Sequence, residues 1–100
     1  MKDNVVKDKS LEFAVRIVNL YKFLVNEQKE FVMSKQILRS GTSIGANIRE
    51  AEQAQSRADF INKLNIALKE ANETEYWLEL LIRTEYITRE QYESINNDST

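Results

Sequence analysis

No proline interrupts this chain, and its only two glycines, Gly41 and Gly45, stand four residues apart. Tight turns draw heavily on both residue types, and a β-rich fold of 100 residues needs several such turns. The chain is therefore expected to fold as long helices joined by short polar connections. Its length allows one domain, residues 1–100. A chain of this size buries roughly two-thirds of its extended surface, enough for one real core. Apolar residues at 42% and charged residues at 30% place it among globular rather than disordered chains.

Hydrophobic periodicity supplies the helices. Phe13, Ile17, Leu20 and Leu24 fall on one stripe, and Ala14, Val18, Tyr21 and Val25 repeat it one residue later. The pattern predicts a first helix over residues 9–26, opening at Asp8 or Ser10, with a face wider than one neighbour covers. The apolar pattern lapses at Asn26–Glu30, which reads as a turn. A second helix over 32–54 carries Ile37, Gly41, Ile44, Ile48 and Ala51 on one edge. Beside that edge run Gln36, Ser40, Ser43, Asn47 and Glu50. Ser56–Asp59 fits a capping box and opens a third helix over 57–84, with Phe60, Leu64, Ala67, Ala71, Thr74, Leu78 and Leu81 in heptad register. Thr88–Gln91 is a second capping box, with Ile87 and Tyr92 set as a hydrophobic staple, so a fourth helix is expected over 89–96. Asn96–Thr100 reads as turn or cap chemistry, so this helix is expected to be short or truncated. Apolar surface on helices 1 and 3 would then be left for more chain or a neighbouring subunit to cover. The predicted fold class is an all-α, antiparallel up-down four-helix bundle, with Ile37, Ile44, Ile48, Phe60, Leu64, Leu78 and Leu81 buried.

Chemistry is constrained by what the chain lacks. It has no cysteine and no histidine, which excludes thiol chemistry and the commonest general base. Gly41-Thr42-Ser43-Ile44-Gly45 matches the G-x-S-x-G nucleophile elbow, but the elbow works on a strand-to-helix turn with a histidine in reach. Here the segment lies mid-helix, and Gly41 and Gly45 read better as a close-packing pair. Glu70, Glu73, Glu75 and Glu79 suggest a bundle metal site, yet the Glu-x-x-His pairs of such sites cannot form. No catalytic residue, metal or cofactor is expected, nor a small-molecule substrate, and the protein is not expected to be an enzyme. No apolar run approaches the ~18 residues that span a bilayer. Met1–Asp8 lacks a hydrophobic signal core, so a cytoplasmic protein without membrane contact is expected.

Net charge is −2, but residues 1–50 hold nine basic and six acidic side chains, against five and ten in residues 51–100. Lys35, Arg39, Arg49, Arg57 and Lys63 form the basic set of the middle of the chain. They are the candidates for nucleic-acid contact, because a helical positive patch can hold phosphates. A structural polar network is expected among Ser40, Ser43, Asn47, Glu50 and Glu73. In it Ser43, Asn47 and Glu73 would meet across the helix 2–helix 3 contact.

The run from Gln36 to Ala51, with its S-x-x-S-I-x-x-N-I-x-E core, resembles the bacterial four helix bundle protein family. Asp59-Phe60, Ile66-Ala67, Glu73 and Tyr76-Trp77-Leu78 add to the likeness, which covers roughly residues 9–95. This family is also known as the intervening-sequence proteins encoded inside large-subunit ribosomal RNA genes. The resemblance implies an antiparallel four-helix protomer and a ring-shaped homopentamer. It also implies similarity to accessory proteins of diversity-generating retroelements, which assist a reverse transcriptase and bind nucleic acid. The family pattern falls on Arg39, Ser40, Ser43, Asn47, Glu50 and Glu73. The expected function is a homo-oligomeric binding module that contacts RNA, or an RNA-handling partner, through a basic surface. The rival expectation is a protein–protein adaptor or structural bundle without nucleic-acid affinity.

Overall fold

The computed structural model describes residues 2–98 and contains four helices: α1 Lys2–Asn26, α2 Met33–Glu52, α3 Arg57–Arg83 and α4 Arg89–Asp98. No strand is present among the described residues, and the all-α four-helix fold is as expected. The molecule measures 43 × 24 × 19 Å. α2 packs on both α1 and α3, and α4 packs on both from the opposite side. α1 and α3 make no close backbone approach and so form one diagonal of the bundle, with α2 and α4 as the other. Neighbours run antiparallel: Lys7 of α1 pairs with Glu52 of α2 at 3.6 Å, and Glu50 of α2 pairs with Lys63 of α3 at 2.9 Å.

The core forms where all four helices are present. Phe13, Ile17, Leu20 and Leu24 of α1 are buried with Ile37, Leu78, Leu81, Ile87 and Ile95. Gly41 brings α1 and α2 together, since a Cβ there would stand 2.8 Å from two Ile17 side-chain carbons. At Gly45 a Cβ would meet the Ser10 hydroxyl at 3.3 Å. The glycine pair thus serves the close approach expected of it.

Both capping boxes form in part or in full. Ser56 Oγ accepts the Asp59 N–H at 3.1 Å. Thr88 and Gln91 exchange reciprocal bonds of 2.8 and 3.1 Å, which opens α4 with Ile87 buried beneath it. The start of α2 has a cap of another kind. Val32 occupies the N-cap position without a side-chain bond, and the buried Glu30 carboxylate instead accepts the N–H groups of Val32, Met33 and Ser34 at 3.2, 3.0 and 2.7 Å. Acidic groups suit this place because the first N–H groups of a helix have no partner within it.

Three expectations are corrected. α1 starts at Lys2 rather than after Asp8 or Ser10, because the Ser10 hydroxyl bonds the Lys7 carbonyl at 2.9 Å and is satisfied inside the helix. Asn96, Asn97 and Asp98 continue α4 instead of ending it; Ser99 and Thr100 lie outside the described residues. Phe60 and Leu64, expected in the core, are 42% and 38% exposed, and Ile44 and Ile48 are only half-buried. The buried end of the α3 stripe is Leu78 and Leu81, which pack with Ile87 and Ile95, and Phe60 and Leu64 lie more than three turns before it. α4 meets α1 at Arg16, whose guanidinium bonds Ser94 at 2.6 Å. Residues 71–78 of α3 face the first half of α1 across an open groove of about 470 Å³. Val5, Val6, Phe13, Ile44, Ile48 and Leu78 line it.

Candidate nucleic-acid interface

α2 presents the basic candidates because its two apolar contacts, with α1 and α3, leave its outer face to solvent. Lys35, Arg39 and Arg49 are all exposed on that face. At 100° and 1.5 Å per residue, they fall within about 80° of azimuth and along roughly 21 Å of axis. Arg57, also exposed, begins α3 beyond the α2–α3 turn. Lys63 lies one and a half turns further and is half-buried against α2.

The five cations are not electrostatically equal. Arg39 reaches across to α3 and is held by two carboxylates, Glu73 and, at 3.3 Å, Glu70. Its hydrogen bond to Glu73 is the main reason its pKa is raised. Glu73 is held below the ordinary carboxylate range, first by the bond from Arg39 and then by the Trp77 indole N–H, which donates to it at 3.2 Å. Lys63 is likewise raised, chiefly by its hydrogen bond to Glu50. Lys35, Arg49 and Arg57 form no ion pair among the described residues. Of the predicted set, three cations are therefore free to meet phosphates and two are engaged in joining α2 to α3.

The polar network between α2 and α3 differs from the one expected. Ser43 does not meet Glu73: its hydroxyl donates to the Arg39 carbonyl at 2.6 Å, one turn back in its own helix. Asn47 does the same with the Ser43 carbonyl at 2.8 Å. Both side chains lie where a local carbonyl is nearer than the facing helix, the usual competition for short polar groups in helices. Glu73 instead meets Arg39 and Trp77, and Glu50 meets Lys63. Ser40 is the one member of the expected polar edge that is fully buried, and its hydroxyl lies 2.9 Å from that of Thr74. Thr74 also bonds the Glu70 carbonyl at 2.7 Å. Thr74 lies on the heptad stripe of α3, and that register is what seats it opposite Ser40. A serine at a buried register facing a threonine at a buried register was the available signal for this pair.

The segment matching the nucleophile elbow runs through unbroken α2, with Gly41 facing α1 and the Ser43 hydroxyl bonded to its own helix. No helix among the described residues is long and apolar enough to cross a membrane. No curated protein matches the chain. A crystal structure from Bacteroides thetaiotaomicron, of a protein with unknown function from the S23 ribosomal protein family, is similar at 98% identity and a TM-score of 0.94. The match covers 99% of this chain and 85% of that one. The family model of the 23S rRNA-intervening sequence protein matches residues 2–100. On the fold, the α2 sequence and that full-length match, the chain belongs to the 23S rRNA-intervening sequence protein family.

Proposed function

We propose that the protein is a non-catalytic, homo-oligomeric binding module of the cytoplasm, a pentameric ring when assembled. It contacts RNA, or an RNA-handling partner, through the outer face of α2 and the start of α3. The observation that carries this reading is the row of exposed cations on α2, in which Lys35 and Arg49 stand without ion pairs about 21 Å apart along the helix. The family's connection with 23S rRNA supports RNA as the polyanion. A closed ring repeats the row around one axis, which concentrates positive potential although each protomer carries a net charge of −2. The absence of histidine and cysteine, and the self-bonded Ser43, support a binding rather than a catalytic role.

Fluorescence anisotropy with a labelled fragment of structured ribosomal RNA tests the proposal. Binding should weaken steeply as salt rises, because each neutralised phosphate releases counterions. The double variant Lys35→Glu, Arg49→Glu should bind at least tenfold more weakly, whereas Lys63→Gln should change affinity little. RNA binding that is undetectable at low salt would overturn the reading. A protein–protein adaptor is the second reading, favoured by one specific observation. Eleven large hydrophobic side chains are well exposed among the described residues, and Arg39 and Lys63 are already neutralised by carboxylates.

A further inference from the structure

Tyr76 gives little to its own bundle. It lies two residues beyond the buried Thr74 of α3, so its side chain points away from the core, and it is 58% exposed. The ring is nevertheless held in place. The Trp77 ring stands 5.1 Å from it, centroid to centroid, at an interplanar angle of 71°. A T-shaped contact of that kind covers at most one face of a ring, so another face of Tyr76 stays open. Trp77 is fixed in turn by its indole N–H, which donates to Glu73 at 3.2 Å, and Glu73 is held by Arg39 of α2. A line of contacts therefore runs from the outer face of α2 to this exposed aromatic ring.

The charges around the ring favour an anion. Ser40 faces Thr74 across antiparallel helices, which sets Tyr76 level with Leu38, between Lys35 and Arg39 of the α2 row. Lys69 lies seven residues before Tyr76, about 20° away in azimuth and roughly 10 Å along α3. Lys35 and Lys69 are both exposed, and neither forms an ion pair among the described residues. The nearest carboxylates of α3 are already engaged, Glu70 and Glu73 by Arg39 and Glu79 by Arg83 at 3.8 Å. Glu75 turns about 100° away from Tyr76, onto the wall of the α1–α3 groove.

A polyanion lying along this face meets cations on both sides of a fixed, open ring. The part of a nucleic acid that suits such a ring is a base freed from its own stack. Unpaired RNA bases are recognised by stacking on aromatic side chains, whereas bases inside a duplex are closed to it. We infer that Tyr76 is the stacking site for an unpaired base of RNA, with Lys35 and Lys69 receiving phosphates on either side of it. The inference rests on the RNA-binding reading above and narrows its substrate class to single strands, loops and bulges.

Fluorescence anisotropy of the whole chain with two labelled probes tests it, an unstructured mixed-sequence RNA strand and a fully paired RNA duplex. The single strand should bind more tightly. Tyr76→Leu keeps an apolar side chain without a ring, and should weaken single-strand binding about tenfold while leaving duplex binding unchanged. Tyr76→Phe should bind as the wild type does. Because the side chain is exposed, melting temperature and light-scattering mass should not move in either variant. Trp77 is the chain's only tryptophan and touches Tyr76, so unlabelled single strand should quench its fluorescence in the wild type and far less in Tyr76→Leu. Should Tyr76→Leu bind the single strand as tightly as the wild type, the stacking site is wrong and the cationic row stands. Tighter binding of the duplex has the same meaning. Loss of assembled mass in Tyr76→Leu would make the ring a contact between subunits and overturn the stacking site as well. A wild-type chain that binds neither probe at low salt overturns both readings.

Discussion

At the scale of single residues, the two glycines of α2 have different tasks, and substitution should separate them. Alanine at either position relieves the helix of about 1 kcal/mol of glycine cost. At Gly41 the new methyl would sit 2.8 Å from two carbons of the buried Ile17, so Gly41→Ala should be destabilising by about 1–3 kcal/mol net. At Gly45 the nearest atom is the Ser10 hydroxyl at 3.3 Å, which can yield, so Gly45→Ala should be near neutral or mildly stabilising. Urea melts of the two variants check the contrast. Glu73 offers a second residue-scale test. Its folded pKa is depressed by Arg39 and by the Trp77 indole, so its stabilising contribution is present above the ordinary value of 4.5 and is lost as pH falls through the lower folded value. Trp77 is the chain's only tryptophan. Its fluorescence should therefore change with a midpoint below pH 4.5, and Glu73→Gln should abolish the change. The glycine pair was legible in the sequence because four-residue spacing places both on one face. The Glu73 partners were not, because Arg39 and Trp77 are long side chains whose reach does not follow from spacing alone.

At the scale of helices, the α2–α3 contact contains one buried polar pair. Thr74→Val should cost about 1–3 kcal/mol, because it leaves the buried Ser40 hydroxyl with only a long 3.5 Å bond to the Ile37 carbonyl. Adding Ser40→Ala removes the stranded group, so the double variant should lose less than the sum of the two single losses. Strictly additive losses in a double-mutant cycle would show that the hydroxyls do not interact. Stripes and caps marked the helices well. The Thr88–Gln91 box opens α4 at Arg89 as expected, and Ser56 begins α3. The start of α1 was missed because Ser10 has the chemistry of a cap, yet its hydroxyl is satisfied within the helix by Lys7. The cap of α2 was missed because Glu30 acts from outside the N-cap position, a role that only the path of the loop creates.

At the scale of the whole molecule, the stripe of α3 is continuous, but what lies opposite it is not. Periodicity identifies the face that a helix would bury and is silent on how far the facing helix extends. For that reason Leu78 and Leu81 are buried with Ile87 and Ile95, while Phe60 and Leu64, on the same stripe, are 42% and 38% exposed. The same limit applies to the basic candidates. Sequence places Lys35, Arg39 and Arg49 on one side of α2, but only the antiparallel α3 brings Glu70 and Glu73 to Arg39. These two surfaces, one apolar and one cationic, give the proposed assembly and the proposed RNA contact opposite responses to salt. Apolar burial is not weakened by screening and is strengthened by excluded salts such as sulfate. Phosphate contact weakens with every increase in salt concentration. Light scattering at tens of micromolar should therefore show a multiple of the 11.7 kDa chain that persists or grows in sulfate, while RNA affinity falls over the same range. An assembled mass that collapsed in step with RNA binding would mean that charge, and not the exposed apolar surface, holds the copies together.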